Sequence, residues 1–206
     1  MNWMKLLELG LALFVVVDPL GLVPVYMGMT ARMTPAERRR TTNIAVVSAV
    51  TILLAFSLAG EWMLVRAFGI TTHELMIVGG LLLLLIGIIG TLFGEHSYQG
   101  DVAEASRHHL GAVPVGCPLL AGPGAITATI LTVNAYDPRW RGMAAAAMLV
   151  LVVFLLVWAI LRFTERIHRI LGEVGSLVVT RLAHILLAAI GVHYLVSGIR
   201  GVLTPA

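Results

Sequence analysis

Asp18-Pro19-Leu20-Gly21-Leu22-Val23-Pro24 interrupts a stretch, Leu6 to Met29, that is otherwise apolar enough to cross a membrane. Glu8 and Asp18 are the only formally charged residues within it. A spanning helix needs roughly 20 apolar residues rising ~1.5 Å each, which places Asp18 near the bilayer centre. The prolines and the glycine around it withdraw backbone donors and loosen the helix. Irregular backbone at that depth persists only where protein or a wet cavity surrounds it. The stretch therefore reads as a site inside a membrane span.

Composition agrees. The 206 residues are 59% hydrophobic and 12% charged, with a mean hydropathy of +0.95. Soluble domains carry about 25% charged residues, so an all-α integral membrane protein is expected. The net charge of +3 comes with basic residues in short loops between apolar runs. Membrane topology explains that distribution, and no nucleic-acid partner is implied. The single cysteine, Cys117, excludes an internal disulfide and a Cys-x-x-Cys redox pair. The N-terminus lacks a small-residue cleavage site, so Leu6 onward is expected to be a retained span.

Residues 1–206 are read as one membrane domain of six transmembrane helices, with expected spans at about 6–29, 35–59, 72–93, 112–133, 138–163 and 177–199. The second opens with Thr34-Pro35-Ala36-Glu37, a capping box with proline at the first helical position. The third opens with a like box, Thr71-Thr72-His73-Glu74. The fifth begins at Asp137-Pro138, and Arg162–Arg169 is expected to carry it past the membrane. Gly201 is placed to end the sixth. These runs are too long for barrel strands. Arg32, Arg38, Arg39, Arg40, Arg107, Arg162, Arg166, Arg169 and Arg181 follow odd-numbered spans. Lys5, Arg66, Arg139, Arg141 and Arg200 lie on the other side, so the positive-inside rule predicts both termini outside.

The fourth span is interrupted as the first is, at Pro118-Leu119-Leu120-Ala121-Gly122-Pro123-Gly124. Pro19 and Pro24 match Pro118 and Pro123 at one offset of 99 residues. Leu84-Leu85-Ile86-Gly87 in the third span resembles Ala188-Ala189-Ile190-Gly191 in the sixth. An odd number of spans per copy makes the second copy inverted, so residues 1–94 and 112–201 form two inverted three-helix repeats, helices 1 and 4 broken at mid-membrane. Broken helices meeting at the midplane are a recurring transporter design. A helix restarted inside the membrane presents unpaired N–H groups with partial positive charge, suited to a carboxylate. Gly122-Pro123-Gly124 fits a cap, a first-position proline and a small residue, leaving the N–H groups of Gly124, Ala125 and Ile126 available. By the offset, Pro24 is expected to begin the matching half-helix, offering Val25 and Tyr26.

Val17-Asp18-Pro19-Leu20-Gly21-Leu22-Val23-Pro24-Val25, with Pro118 to Ile126 a hundred residues on, resembles the MarC/SnatA family of six-span membrane proteins. The ending Arg181-Leu-Ala-His-Ile-Leu-Leu-Ala-Ala-Ile-Gly-Val-His193 is similar to that family's last span. The likeness covers essentially the whole chain and rests on two long motifs in register. It implies kinship with amino-acid transporters and with exporters of the LysE type. It implies, for some members, uptake of small neutral amino acids such as glycine and alanine coupled to an ion gradient.

The expected function is thus secondary active transport of glycine, alanine or serine in the cell membrane, driven by protons or sodium ions. The expected substrate-binding residues are Gly21, Pro24, Val25, Gly122, Pro123, Gly124, Ala125 and Thr127. Asp18 is either the cap of a restarted helix or the carrier of a coupling proton, and the two roles are compatible. Asn43, Ser48 and His193 are possible supporting groups, with hydrogen bonding between helices as the alternative for the first two. His184, like His193, reads as a packing residue or a relay. Gly87, Gly90 and Gly94 form a small-residue stripe for helix contact within or between subunits, so a homo-oligomer is possible. His108-His109 lacks partners at metal-ligand spacing, and neither a metal nor a cofactor is expected. There is no Gly-x-x-x-x-Gly-Lys-Ser/Thr, His-Glu-x-x-His or Gly-x-Ser-x-Gly, so neither nucleotide-driven transport nor catalysis is expected. Export of amino acids or other small metabolites, or a non-transporting membrane scaffold, are the alternatives.

Overall fold

A computed structural model describes residues 3–30, 33–62, 69–93 and 120–203. Among them every regular element is an α-helix: α1 (Trp3–Val17), α2 (Leu22–Thr30), α3 (Pro35–Glu61), α4 (Thr72–Phe93), α5 (Pro123–Asn134), α6 (Arg139–Arg162) and α7 (Thr164–Leu203). Four stretches are long and apolar enough to cross a membrane: Pro35–Gly60, Thr72–Leu92, Arg139–Arg162 and Val174–Leu203. Each meets the roughly 20 residues that a hydrocarbon core of about 30 Å demands. Their outward faces are apolar too. Leu81, Leu85 and Leu92 on α4, Leu151, Leu155 and Leu156 on α6, and Leu182, Ile185 and Leu186 on α7 are all exposed. Lipid is the solvent that tolerates such a surface.

Both expected capping boxes form. Thr34 N–H donates to Glu37 Oε2 at 2.8 Å and Glu37 N–H to Thr34 Oγ1 at 3.3 Å. Thr71 and Glu74 repeat the arrangement at 2.7 and 3.3 Å. Three expected boundaries move. Pro138 caps α6 and is not its first residue. The stretch Arg162–Arg169 does not prolong α6: the chain breaks at Phe163 (φ −105°, ψ 17°) and restarts as α7. Thr164 Oγ1 donates back to Leu161 O at 2.8 Å across that joint, and Gly172, at φ 65°, kinks α7 before its spanning part. Gly201 does not end a helix, because α7 runs on to Leu203. Its missing side chain serves packing instead, since a Cβ there would fall 2.1 Å from Nδ1 of His73.

Leu13, Val17, Leu53, Val150, Phe154 and Val157 form one buried cluster that joins α1, α3 and α6, and Leu120, Ala121 and Ala125 complete it. Against this body lies the pair α4 and α7, through Val16, Leu83, Leu131, Leu187 and Tyr194. That pair is antiparallel and in backbone contact. A Cβ on Gly80 would lie 2.6 Å from Gly191 O, and one on Gly198 would lie 2.7 Å from His73 O. The close approaches are reciprocal: a Cβ on Gly87 would lie 2.6 Å from both Ala188 N and His184 O, while one on Gly191 would lie 2.5 Å from Leu84 N and 2.7 Å from Gly80 O. Gly87 and Gly90 thus pack within the subunit, and Gly94 lies outside the described residues. Small residues let helices approach this closely in lipid, where dispersion contacts replace the hydrophobic drive.

Candidate functional site

The helix is broken where the sequence predicts. The α1 helix stops at Val17, a turn covers Asp18 to Gly21, and α2 starts at Leu22. Asp18 carries φ 45°, the left-handed conformation that closes a helix and that Asp tolerates better than most residues. Its N–H reaches both Phe14 O and Val15 O at 3.1 Å, closing α1. Its side chain then opens the next segment, with Oδ1 accepting from Gly21 N–H at 3.1 Å. Its own carbonyl accepts from Leu22 N–H at 3.2 Å, and Leu20 O accepts from Val23 N–H at 3.2 Å. One residue therefore ends a helix and caps its successor.

That arrangement corrects the expectation for this half of the site. Pro24 does not begin α2; it is the third residue and Val25 the fourth. The donors of the first turn, on Gly21, Leu22 and Val23, are already used inside the turn, and Pro24 has none. Gly21 contributes by the absence of a side chain: a Cβ would fall 2.2 Å from Asp18 Oδ2. Gly21, whose N–H is bonded to Asp18, and Pro24, which has none, therefore cannot hold an anion by a first-turn amide in this conformation.

The second break keeps what the first has spent. Leu120 is helical, Ala121 and Gly122 are not, and α5 begins at Pro123. Gly122 is the cap (φ −65°, ψ 170°) and no side chain bonds to the first turn. Gly122 O accepts from Ile126 N–H at 3.1 Å, so Ile126 is not a free donor. Among the described residues no backbone carbonyl outside the helix meets the N–H of Gly124 or Ala125, and the Gly122 cap offers no side-chain acceptor. Both residues are buried. Gly124 lies against α4 and α1, where a Cβ would meet Leu83 Cδ2 at 2.4 Å and Val16 Cγ1 at 3.1 Å. The two breaks are therefore neighbours in the core, with Val16 only two residues before Asp18. Thr127, one turn along, is 1% exposed and packs on Gly79 of α4, whose Cβ position lies 2.5 Å from its Oγ1. Pro118, Cys117, His108 and His109 lie outside the described residues, as does the rest of 112–119, the first part of the expected fourth span.

The proposed supporting residues separate. Asn43 is exposed and accepts a 2.8 Å hydrogen bond from Trp158 Nε1, tying α3 to α6. Ser48 is half-buried on the same helix. His193 is exposed, its ring 6.2 Å from that of Tyr194. None of these three bonds to Asp18 or to the Gly122–Ala125 turn. His184 does approach: its Nε2 stands 3.6 Å from Asp18 Oδ2. The imidazole is buried, its Nδ1 has no hydrogen-bond partner among the described residues, and Gly90 makes room for it, a Cβ there falling 2.5 Å from the ring. The periodicity held this signal. At 100° per residue, positions nine apart face opposite ways, and His184 shares its face with Gly191 and Gly198, which mark the packed side.

The far end of α2 is fastened as well. Tyr26 donates to Arg38 O at 3.2 Å and shares a hydrogen bond with Thr42. Arg38 Nη2 donates to Thr30 O at 3.3 Å, while its Nη1 pairs with Glu165 at the start of α7. Leu20 and Val23 of the break, with Ile167, Ser176, Val179 and Thr180 of α7, line a shallow depression beside it.

Comparison with known proteins bears on this geometry. The sequence model described as MarC family integral membrane protein matches residues 3–203. The chain belongs to the MarC family. Relatives include the membrane protein YhcE of Escherichia coli K12, 32% identical over 199 residues that cover 93% of this chain and 90% of the relative. A membrane protein of Methanocaldococcus jannaschii is 34% identical over 197 residues, covering 93% and 94%. The inner membrane protein MarC of Salmonella typhimurium is 29% identical over 214 residues, covering 97% and 96%. No solved structure matches the chain. This MarC-family protein is thus a multi-pass integral membrane protein, and the matched region contains both breaks, Asp18 and His184.

Proposed function

We propose that this MarC-family protein is a secondary active transporter of small neutral amino acids, of the glycine, alanine and serine class, coupled to protons. Six spans form two inverted three-helix repeats, with both termini outside. The observation that carries the reading is the uncapped start of α5, with the Gly124 and Ala125 N–H groups buried beside the Asp18 turn. A half-helix start of this kind suits the carboxylate of a zwitterion. Gly124 and Ala125 would hold it, Thr127 would flank it, and the small residues of the break would exclude a large side chain. The reciprocal contacts of Gly87 and Gly191 support the repeats, since an in-plane pseudo-dyad exchanging Leu84–Gly87 with Ala188–Gly191 turns one contact into the other. Nine of the basic residues on one side support the orientation.

Alternation would move the α4 and α7 pair against the body that holds the breaks. Flux assays on purified protein in liposomes test the function. Radiolabelled glycine, alanine and serine should enter saturably and compete with one another when an inward proton gradient is imposed. A sodium gradient alone should not replace it. Movement of bulky non-zwitterionic compounds only, or of none of the twenty amino acids, would reject the reading.

A further inference from the structure

The Asp18 turn and α7 meet at two ionisable groups, one from each repeat, at the depth where ionisable residues are costly. Asp18 Oδ2 and His184 Nε2 lie 3.6 Å apart, too far for a neutral hydrogen bond but within reach of an ion pair. Both side chains are largely buried, with relative exposures of 13% and 9%. Asp18 Oδ1 is engaged by Gly21 N–H, which leaves Oδ2 aimed at the imidazole. His184 Nδ1 is buried and has no partner among the described residues, so packing alone does not account for the ring's polarity.

We propose that Asp18 and His184 together bind one transported proton, and that this proton ties α7 to the broken first span. The proposal rests on the transport reading above and names the group that carries its coupling. With the proton bound, an imidazolium faces a carboxylate and the pair is neutral overall, which suits a buried site. When the proton leaves, Oδ2 loses its counter-charge and α7 loses its tie to the turn. Among the described residues no further ion pair reaches either group. Lys5 and Glu8 lie near the start of α1, and Tyr26 is bonded at the far end of α2. Between Glu74 and Phe93, α4 has no ionisable residue; α5 has none; α6 has none between Arg141 and Arg162, and α3 none between Arg40 and Glu61. On α7 itself Arg181 is exposed and Tyr194 is buried farther along. The site occurs once. By the repeat offsets, the counterpart of Asp18 is Cys117 and that of His184 is Gly80, so the second copy cannot supply the same pair.

Two readouts test the pair separately from transport. In protein labelled with 15N-histidine in detergent, the signal lost in His184→Gln identifies His184 among the seven histidines. The pH response of that signal should differ between the native protein and Asp18→Asn, because the charge 3.6 Å away has been removed. Asn keeps the shape of the side chain and an oxygen for Gly21 N–H, so the turn is retained. Gly90→Ala, which forces the ring to move without deleting either group, should also change the midpoint. A His184 signal that ignores pH, or whose midpoint is the same in Asp18→Asn, overturns the proposal whether or not the protein transports. In liposomes, His184→Gln should keep exchange of labelled for unlabelled alanine and lose accumulation driven by a pH gradient. Gradient-driven accumulation at the native level in His184→Gln overturns the proposal even though transport stands. Absence of alanine movement in the native protein rejects the transport reading alone, and the histidine titration then decides the pair.

Discussion

Gly21 and Asp18 are mutually required: the carboxylate that caps the turn occupies the space where a Gly21 side chain would be, with Oδ2 2.2 Å from the Cβ position. Gly21→Ala should therefore expel the carboxylate, free the Gly21 N–H and break the approach to His184. Loss of a side-chain cap costs about 0.5–2 kcal/mol. Thermal unfolding in detergent should show a lower midpoint for Gly21→Ala than for Asp18→Asn, which keeps an acceptor in place. Equal midpoints would mean that the turn does not depend on this contact.

The seam between α4 and α7 makes a second prediction. At Gly80, Gly87 and Gly191 the nearest atoms are backbone atoms of the opposing helix, which cannot rotate away as a side chain can. Gly80→Val or Gly191→Val should destabilise the protein by about 1–3 kcal/mol through overpacking. Leu155→Ala, on the lipid face, removes no protein contact of that kind and should cost much less. Denaturant or thermal unfolding of the three variants in one detergent provides the comparison.

The capping boxes stand where α3 and α4 begin, and both are solvent-exposed. Thr34→Ala and Thr71→Ala should each cost about 1 kcal/mol. By contrast, Glu165→Gln removes an exposed ion pair with Arg38 and should cost under about 1 kcal/mol, with its effect shrinking further in high salt. A large salt-independent loss in Glu165→Gln would show that the joint before α7 depends on that pair.

Orientation is open to direct chemistry. Replacing Cys117 by Ser and introducing single cysteines at Trp3 and at Trp140 should give labelling of both by an impermeant maleimide on intact cells. A cysteine at Arg39 should label only after permeabilisation. The reverse pattern would refute the assignment of the termini to the outside.

Much of the fold was legible in the residues because its signals are local. Thr34 with Glu37 and Thr71 with Glu74 announce helix starts, and the apolar runs between punctuating residues have spanning length. Asp18-Pro19 announced a break for the same reason. What stayed hidden depends on which of two adjacent backbone groups satisfies which donor. Pro24 looked like a helix start because its twin Pro123 is one. At the first break, however, the Asp18 carboxylate and carbonyl serve the early donors and the helix restarts at Leu22. Gly122 has no side chain to do so, and the second break is left uncapped. His184 and His193 looked alike until the face of α7 was fixed by its glycines. Gly201 resembled a helix stop because a glycine needed for close packing on His73 is the same letter as one needed to end a helix.

If the buried N–H groups of Gly124 and Ala125 hold the substrate carboxylate, as proposed, their amide signals measure it directly. In protein labelled with 15N-glycine and 15N-alanine, with Gly124 identified through Gly124→Ala and Ala125 through Ala125→Ser, L-alanine should move both amide signals and saturate. Alaninamide, which lacks the carboxylate, should leave them in place. Gly124 and Ala125 signals that do not respond to alanine while the protein transports it would contradict the account, because the carboxylate would then be bound elsewhere.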